Sequence, residues 1–170
     1  MEKEGPTILD LENTKDNQDQ LKLLDLLVPL VETMTSRSLI NHLNSRDKLD
    51  LRLNSFVWGY LNSLAFGHAE RCSISIRNQK VLGAVSASLH SILFNNSVAS
   101  SELEYLSVFQ SIKNIKTLKD EFFEGTKACD ADIPKIGIDV PIRNSLLPSL
   151  NIFLLNKVEE LEPYKQTKDK

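Results

Sequence analysis

Two stretches of this chain carry no charge where a solvent-facing helix would need some. Between Arg52 and His68 there is no Asp, Glu, Lys or Arg, and Val81–Ser101 is equally free of them. A surface helix sets an apolar stripe against a charged outer face. In the first stretch Leu53, Val57, Tyr60, Leu61 and Leu64 recur at helical spacing, with Phe56 on the flank. The opposite face holds only small uncharged residues, Ser55, Gly59, Asn62, Ser63 and Gly67. In the second, Val81, Val85 and Ile92 run beside Leu82, Leu89 and Leu93 as far as Phe94. Gly83, Ala84, Ala87 and Ser88 leave room there for a neighbouring helix. Helices with no wet side must be covered all round. They form either the inner layer of a bundle or a subunit interface.

The remaining signals place other helices around that pair. Leu23, Leu24, Leu27, Leu30, Val31 and Met34 recur at spacings of three and four, which predicts an amphipathic helix over Leu21–Met34. Pro29 predicts a kink or a break in it. A short helix carrying Leu39, Ile40 and Leu43 follows, and then a longer one over about 48–68. Ser101 and Glu104 have capping-box spacing and predict a helix over 102–124, with Gly125 just past its end. A last helix starts near Ser145, with Leu147, Leu150, Leu154, Val158 and Leu161 as its stripe and Pro163 as its stop.

Between these helices, Ser73–Ile76 alternates weakly and permits an extended piece. Ile136, Ile138, Val140 and Ile142 alternate more clearly, among Pro134, Gly137 and Pro141. That pattern predicts an extended strap near 126–146, or a short strand pairing with 73–76. The expected fold is all-α: a compact bundle of five to six helices with that strap. At 170 residues the chain is sized for one domain, expected over 19–163 between a flexible 1–18 and a flexible tail 164–170.

Charge and cysteines narrow the function classes. The net charge is only −3, which excludes a dominantly basic nucleic-acid coat. The charge is nonetheless uneven: segment 1–35 holds eight acids and three lysines, and segment 36–80 holds seven basic residues and three acids. Cys72 and Cys129 stand alone, with no CxxC and no Cys/His cluster, so zinc is not expected and both should stay reduced. Met1–Leu11 has no apolar run to act as a signal peptide, and no clean apolar stretch is long enough to span a membrane. A cytoplasmic location is expected.

No complete catalytic constellation appears. None of the six glycines falls in a phosphate-binding pattern, and HExxH and GxSxG are absent. His68-Ala69-Glu70 matches the HxE of zinc deaminases without the PCxxC that completes their site, so the match reads as chance. His68 lies near a helix C-terminus, where an imidazolium would be favoured. His42 reads as a solvated residue and His90 as a hydrogen-bonded core or interface residue. Asp130, Asp132 and Asp139 lack the spacing of a calcium loop and read as solvated loop acids. No metal and no cofactor is expected, and no enzymatic activity.

The expected function is a non-catalytic helical module that binds another protein or a second copy of itself. Ser55, Trp58, Gly59, Asn62 and Ser63 are its expected buried or contact face, one that could pack a helix of the same chain or of another subunit. Arg37, Arg46, Arg52, Arg71 and Arg77 form a basic set suited to acidic segment 1–35 or an acidic partner. Two alternatives stand beside it. One is a small-molecule sensor with an apolar cavity around Trp58, Tyr60 and His90. The other is a nucleic-acid-binding regulator using the basic 37–80 segment, against which the shortage of stacking aromatics argues.

Overall fold

The computed structural model describes residues 8–135 and 147–168, with side chains over 14–134 and 147–161. Every regular element among them is helical. The eight α-helices are α1 (Ile8–Glu32), α2 (Ser36–Asn41), α3 (Ser45–Arg52), α4 (Ser55–Ala69), α5 (Gln79–Phe94), α6 (Val98–Asn114), α7 (Lys116–Asp132) and α8 (Pro148–Lys168). Single 3₁₀ turns follow α4 at Glu70–Cys72 and α7 at Ile133–Lys135.

Side-chain caps set several of the boundaries. Asn44, Asn54 and Asn78 each accept a hydrogen bond from a backbone N–H three residues on, opening α3, α4 and α5. Asn54 thereby divides the helix expected over 48–68 into α3 and α4. The cap of α6 is Ser97, whose Oγ accepts from Ser100 N, and not Ser101. Asn95 closes α5 in the left-handed region (φ 51°), a conformation asparagine tolerates.

The helix expected over 102–124 is broken at Ile115, which is extended (φ −119°, ψ 109°). This break and the one at Asn54 raise the helix number above five to six. The break lets α7 fold back, so that Phe109 of α6 meets Phe122 of α7 edge to face. Gly125 does not end a helix. It lies inside α7, against the backbone of α4.

The expected strap is corrected over its first part, because 126–132 continue α7 and 133–135 form the 3₁₀ turn. Its remainder, 136–146, lies outside the described residues. Ser73–Ile76 forms no strand: Ser73 is left-handed (φ 58°) and Ile74 N donates back to Ala69 O. The polar N-terminal segment is helical from Ile8. Asp16 in it accepts from Asn78 Nδ2 at 2.8 Å, tying α1 to the start of α5. Pro29 leaves α1 unbroken until Glu32, one turn later. Likewise α8 passes Pro163 and reaches Lys168, so helix covers most of the expected tail.

The two uncharged helices do form the interior. α4 packs against α7 on one side and α5 on the other, while α1 and α6 cover α5 and α8 closes over α7 and α2. Leu23 and Leu27 of α1, Leu61 and Leu64 of α4, Leu82 and Leu89 of α5, and Leu150 and Leu154 of α8 build the main core. A second cluster joins Trp58 and Ala87 to Val108 and Phe122, with Tyr105, Phe109 and Ile112 packed around it.

Candidate functional site

The small-residue face of α4 is occupied by the chain itself. A Cβ added to Gly59 would overlap the Phe122 carbonyl oxygen, and one added to Gly125 would overlap the Phe56 carbonyl oxygen. The two glycines thus let α4 and α7 cross backbone to backbone. Thr126 Oγ1 points at Gly59 O across that crossing, 3.4 Å away, and at Phe122 O of its own helix at 3.2 Å. Ser63 Oγ donates to Asp130 Oδ1 at 2.8 Å, and Ser55 is buried. Only Asn62 stays half-exposed, in a shallow depression beside Phe123. Ser55, Gly59 and Ser63 therefore form an internal contact, the buried one of the two expectations for this face.

Trp58 is interior as well. It is fully buried and stacks on His90, with ring centroids 4.0 Å apart, while Tyr105 meets it edge-on. The Arg52 carbonyl accepts two N–H groups here, Trp58 Nε1 at 2.8 Å and His90 Nε2 at 2.9 Å. His90 Nε2 must carry the proton to donate, so Nδ1 accepts from Ser101 Oγ at 2.9 Å. Burial, together with the Arg52 charge, drives the His90 pKa down to about 3 even though the Arg52 carbonyl favours protonation. The Arg52 guanidinium pairs with Glu104 at 2.9 Å, and burial raises the Glu104 carboxyl against that pairing. A histidine held neutral and sealed on every side is a packing element, and it has no route to a substrate proton.

A second buried network ties three helices together. Asp132 is 1% exposed and accepts from Tyr60 Oη at 2.7 Å, Ser149 N at 2.9 Å and Ser149 Oγ at 2.8 Å. Burial and the neighbouring acids hold the Tyr60 phenol well above its usual range. Asp130 and Asp132 thus sit on the last turn of α7 and not in a loop, Asp132 buried and Asp130 exposed to solvent as expected; Asp139 lies outside the described residues. Cys129 is buried beside them, its thiol pushed up to about 12 by burial, and it is a free cysteine like Cys72.

The histidine at the end of α4 is also corrected. His68 is fully buried and its Nδ1 donates to Leu64 O at 3.0 Å. Burial lowers its pKa, so the imidazolium is disfavoured despite the helix terminus. His42 is exposed, as expected.

The basic set is divided between structure and surface. Arg37 donates through Nε and Nη2 to Ile92 O and through Nη1 to Glu32 O, and Arg52 is committed to Glu104. Arg46, Arg71 and Arg77 are exposed. Two of the five are thus internal clamps.

The cavity expected around Trp58, Tyr60 and His90 is filled by those three side chains, all fully buried. One layer outward, a groove of about 420 Å³ runs over α5 between α1 and α6. Gly83, Ala84 and Ala87 make its floor, Tyr105 and Leu106 one wall, and Gln20 stands on the other. Leu103 (69% exposed) and Leu106 (58% exposed) project along α6 beside it. The signal for this groove is the small-residue spacing in α5, which sequence reasoning assigns to a packed neighbour helix. In the structure α6 meets Gly83 of that row through Tyr105, whose Oη would lie 3.3 Å from a Cβ there.

Among the described residues no helix is long and apolar enough to cross a membrane, and no group of three His, Cys, Asp or Glu side chains could hold a metal ion. Against known proteins, the chain matches no family model, no curated protein and no solved structure.

Proposed function

We propose that this chain is a non-catalytic helical module that docks the apolar face of a helix from another protein. The observation that carries the reading is the exposed Leu106 lining the small-residue groove over α5, with exposed Leu103 one turn earlier on α6. A helix laid between α1 and α6 would bury both leucines and reach the Gly83–Ala87 floor, which is the helix-in-groove mode of recognition. The sealed His90 and the structural roles of Asp130 and Asp132 support a binding role over a catalytic one.

Capture from a lysate of the native source, compared across variants, tests this. Wild type and Leu53→Glu, an exposed site on the α3–α4 junction, should retain the same stoichiometric protein, and Leu106→Glu should lose it with its melting temperature unchanged. Self-association that Leu106→Glu abolishes in light scattering would identify the partner as a second copy. Equal capture by all three forms, or by none, overturns the reading.

A further inference from the structure

The solvent face of α6 carries its charges and its leucines in an order that the reversed helix would complement. Glu102, Leu103, Leu106, Gln110 and Lys113 are all exposed and share that face. Glu102 and Lys113 stand about three turns apart, so they fall along one edge of the helix, with the leucines between them in height. Neither charge enters an ion pair among the described residues. Glu102 and Leu106 also line the groove over α5, which places this edge of α6 at the groove rim. The face therefore combines uncovered apolar surface with one unused charge of each sign.

We propose that the helix docked here is α6 of a second copy, laid antiparallel along the groove side of α6 about a twofold axis. The inference rests on the helix-docking reading and names its partner. In a twofold pair, a residue that contacts a second residue is contacted in return by that residue's twin. An axis level with Ser107 and Val108 puts Glu102 of each copy beside Lys113 of the other, with both ion pairs on the same edge. Leu106 then meets its twin near the axis, and each Leu103 lies over Gln110 of the other copy. A parallel pair would set Glu102 against Glu102 and Lys113 against Lys113, which is repulsive. A foreign helix would have to reproduce this spacing of opposite charges, whereas a second copy has it by construction.

The test is sedimentation velocity of the full-length chain over a concentration series, with the charge reversals Glu102→Lys and Lys113→Glu. Wild type should pass from monomer to dimer at about 10 μM, as suits a small interface. Either reversal alone turns both ion pairs into like-charge contacts. It should weaken pairing about tenfold or more, with the melting temperature unchanged. An equimolar mixture of the two variants should recover the dimer, because each presents the charges that complement the other. The double variant should pair as wild type does. A wild type that stays monomeric up to about 100 μM, a dimer indifferent to either reversal, or a mixture that stays monomeric would each overturn the proposal. Leu106-dependent capture of a different protein by a monomeric wild type would overturn it as well and leave the helix-docking reading standing, so the two fail separately.

Discussion

The two sides of α4 are closed by opposite means. Toward α7, the contact is backbone on backbone: Gly59 faces the Phe122 carbonyl and Gly125 faces the Phe56 carbonyl. Toward α5 and α6, the contact is made by large rings, with Trp58 stacked on His90 and Tyr105 set edge-on against Trp58. Each side also carries a polar network, Tyr60–Asp132–Ser149 on the first and Arg52–Glu104 with His90 and Ser101 on the second. A backbone contact has no flexible atoms to give way. A ring contact does, and it leaves gaps at its edges, one of which is the groove over α5. The comparison teaches that one uncharged helix can be rigidly fixed on one face and leave usable surface near the other.

Breaking the rigid side should have the largest effect. Gly59→Ala or Gly125→Ala puts a methyl group into a carbonyl oxygen, and only a shift of the whole helix relieves it. Overpacking of this kind is expected to cost about 3 kcal/mol or more. For a domain of this size that is a fall in melting temperature of about 10 °C. Thermal unfolding followed by circular dichroism measures it directly, and a fall of only a degree or two would mean that α4 and α7 separate easily.

Next comes the network on the same side. Asp132→Ala leaves the buried Tyr60 hydroxyl and the Ser149 N–H without their acceptor. A loss of about 3 kcal/mol is expected, because both stranded groups stay desolvated. Tyr60→Phe, which removes one donor and leaves Asp132 its two Ser149 bonds, should cost about 1 kcal/mol. If the two variants were equally destabilised in urea unfolding, α8 would not be held through Ser149 as the geometry indicates.

The ring side should instead be sensitive to acid. His90 ordinarily titrates near pH 6.5 and in the fold only at about 3. Between those values the unfolded chain takes up a proton that the folded chain refuses, so stability is complete above pH 6.5 and falls as pH drops through the window. From pH 7 to pH 5 the loss should be about 2 kcal/mol. His68, also lowered, acts with the same sign. Glu104 is raised and acts oppositely, its burden easing toward the low-pH end. Urea midpoints at the two pH values for wild type and His90→Gln should show the smaller drop in the variant. Identical pH dependence would mean that another group controls it.

What the sequence discloses and what it hides follow the same division. Absence of charge between Arg52 and His68 and after Lys80 is a local property, and it marks α4 and α5 as covered all round without saying whether the same chain or another subunit covers them. The asparagine caps are local too. Gly125 was ambiguous because a glycine that ends a helix and one that admits a neighbouring backbone look alike in sequence. Ser97, Ser100 and Ser101 offer equivalent capping signals, and the choice of Ser97 frees Ser101 for His90. The role of Asp132 depends on Tyr60, 72 positions away, and no spacing rule reaches that far. The groove was hidden for the converse reason. Small residues in α5 show that something can come close, and only the path of α6 decides that a ring tip does so and a helix backbone does not.

Gly83→Ala is the smallest expected effect and the sharpest test of the contrast. On propensity alone, alanine inside a helix is favoured over glycine by about 0.8–1.0 kcal/mol. The new methyl would meet Tyr105 Oη at 3.3 Å, the free tip of a side chain that can withdraw by a few tenths of an ångström. The tight contact should use up part of the propensity gain, leaving a melting temperature unchanged or raised by a degree or two. The same substitution at Gly59 meets backbone and has no such outlet. A fall at Gly83 as large as the one at Gly59 would show that α5 and α6 are also locked close together, and the groove would then have no accessible floor. A neutral or stabilising result would leave Gly83 as a residue whose smallness serves the groove and not the fold. The variant's shallower groove would then weaken partner capture while the fold gained stability.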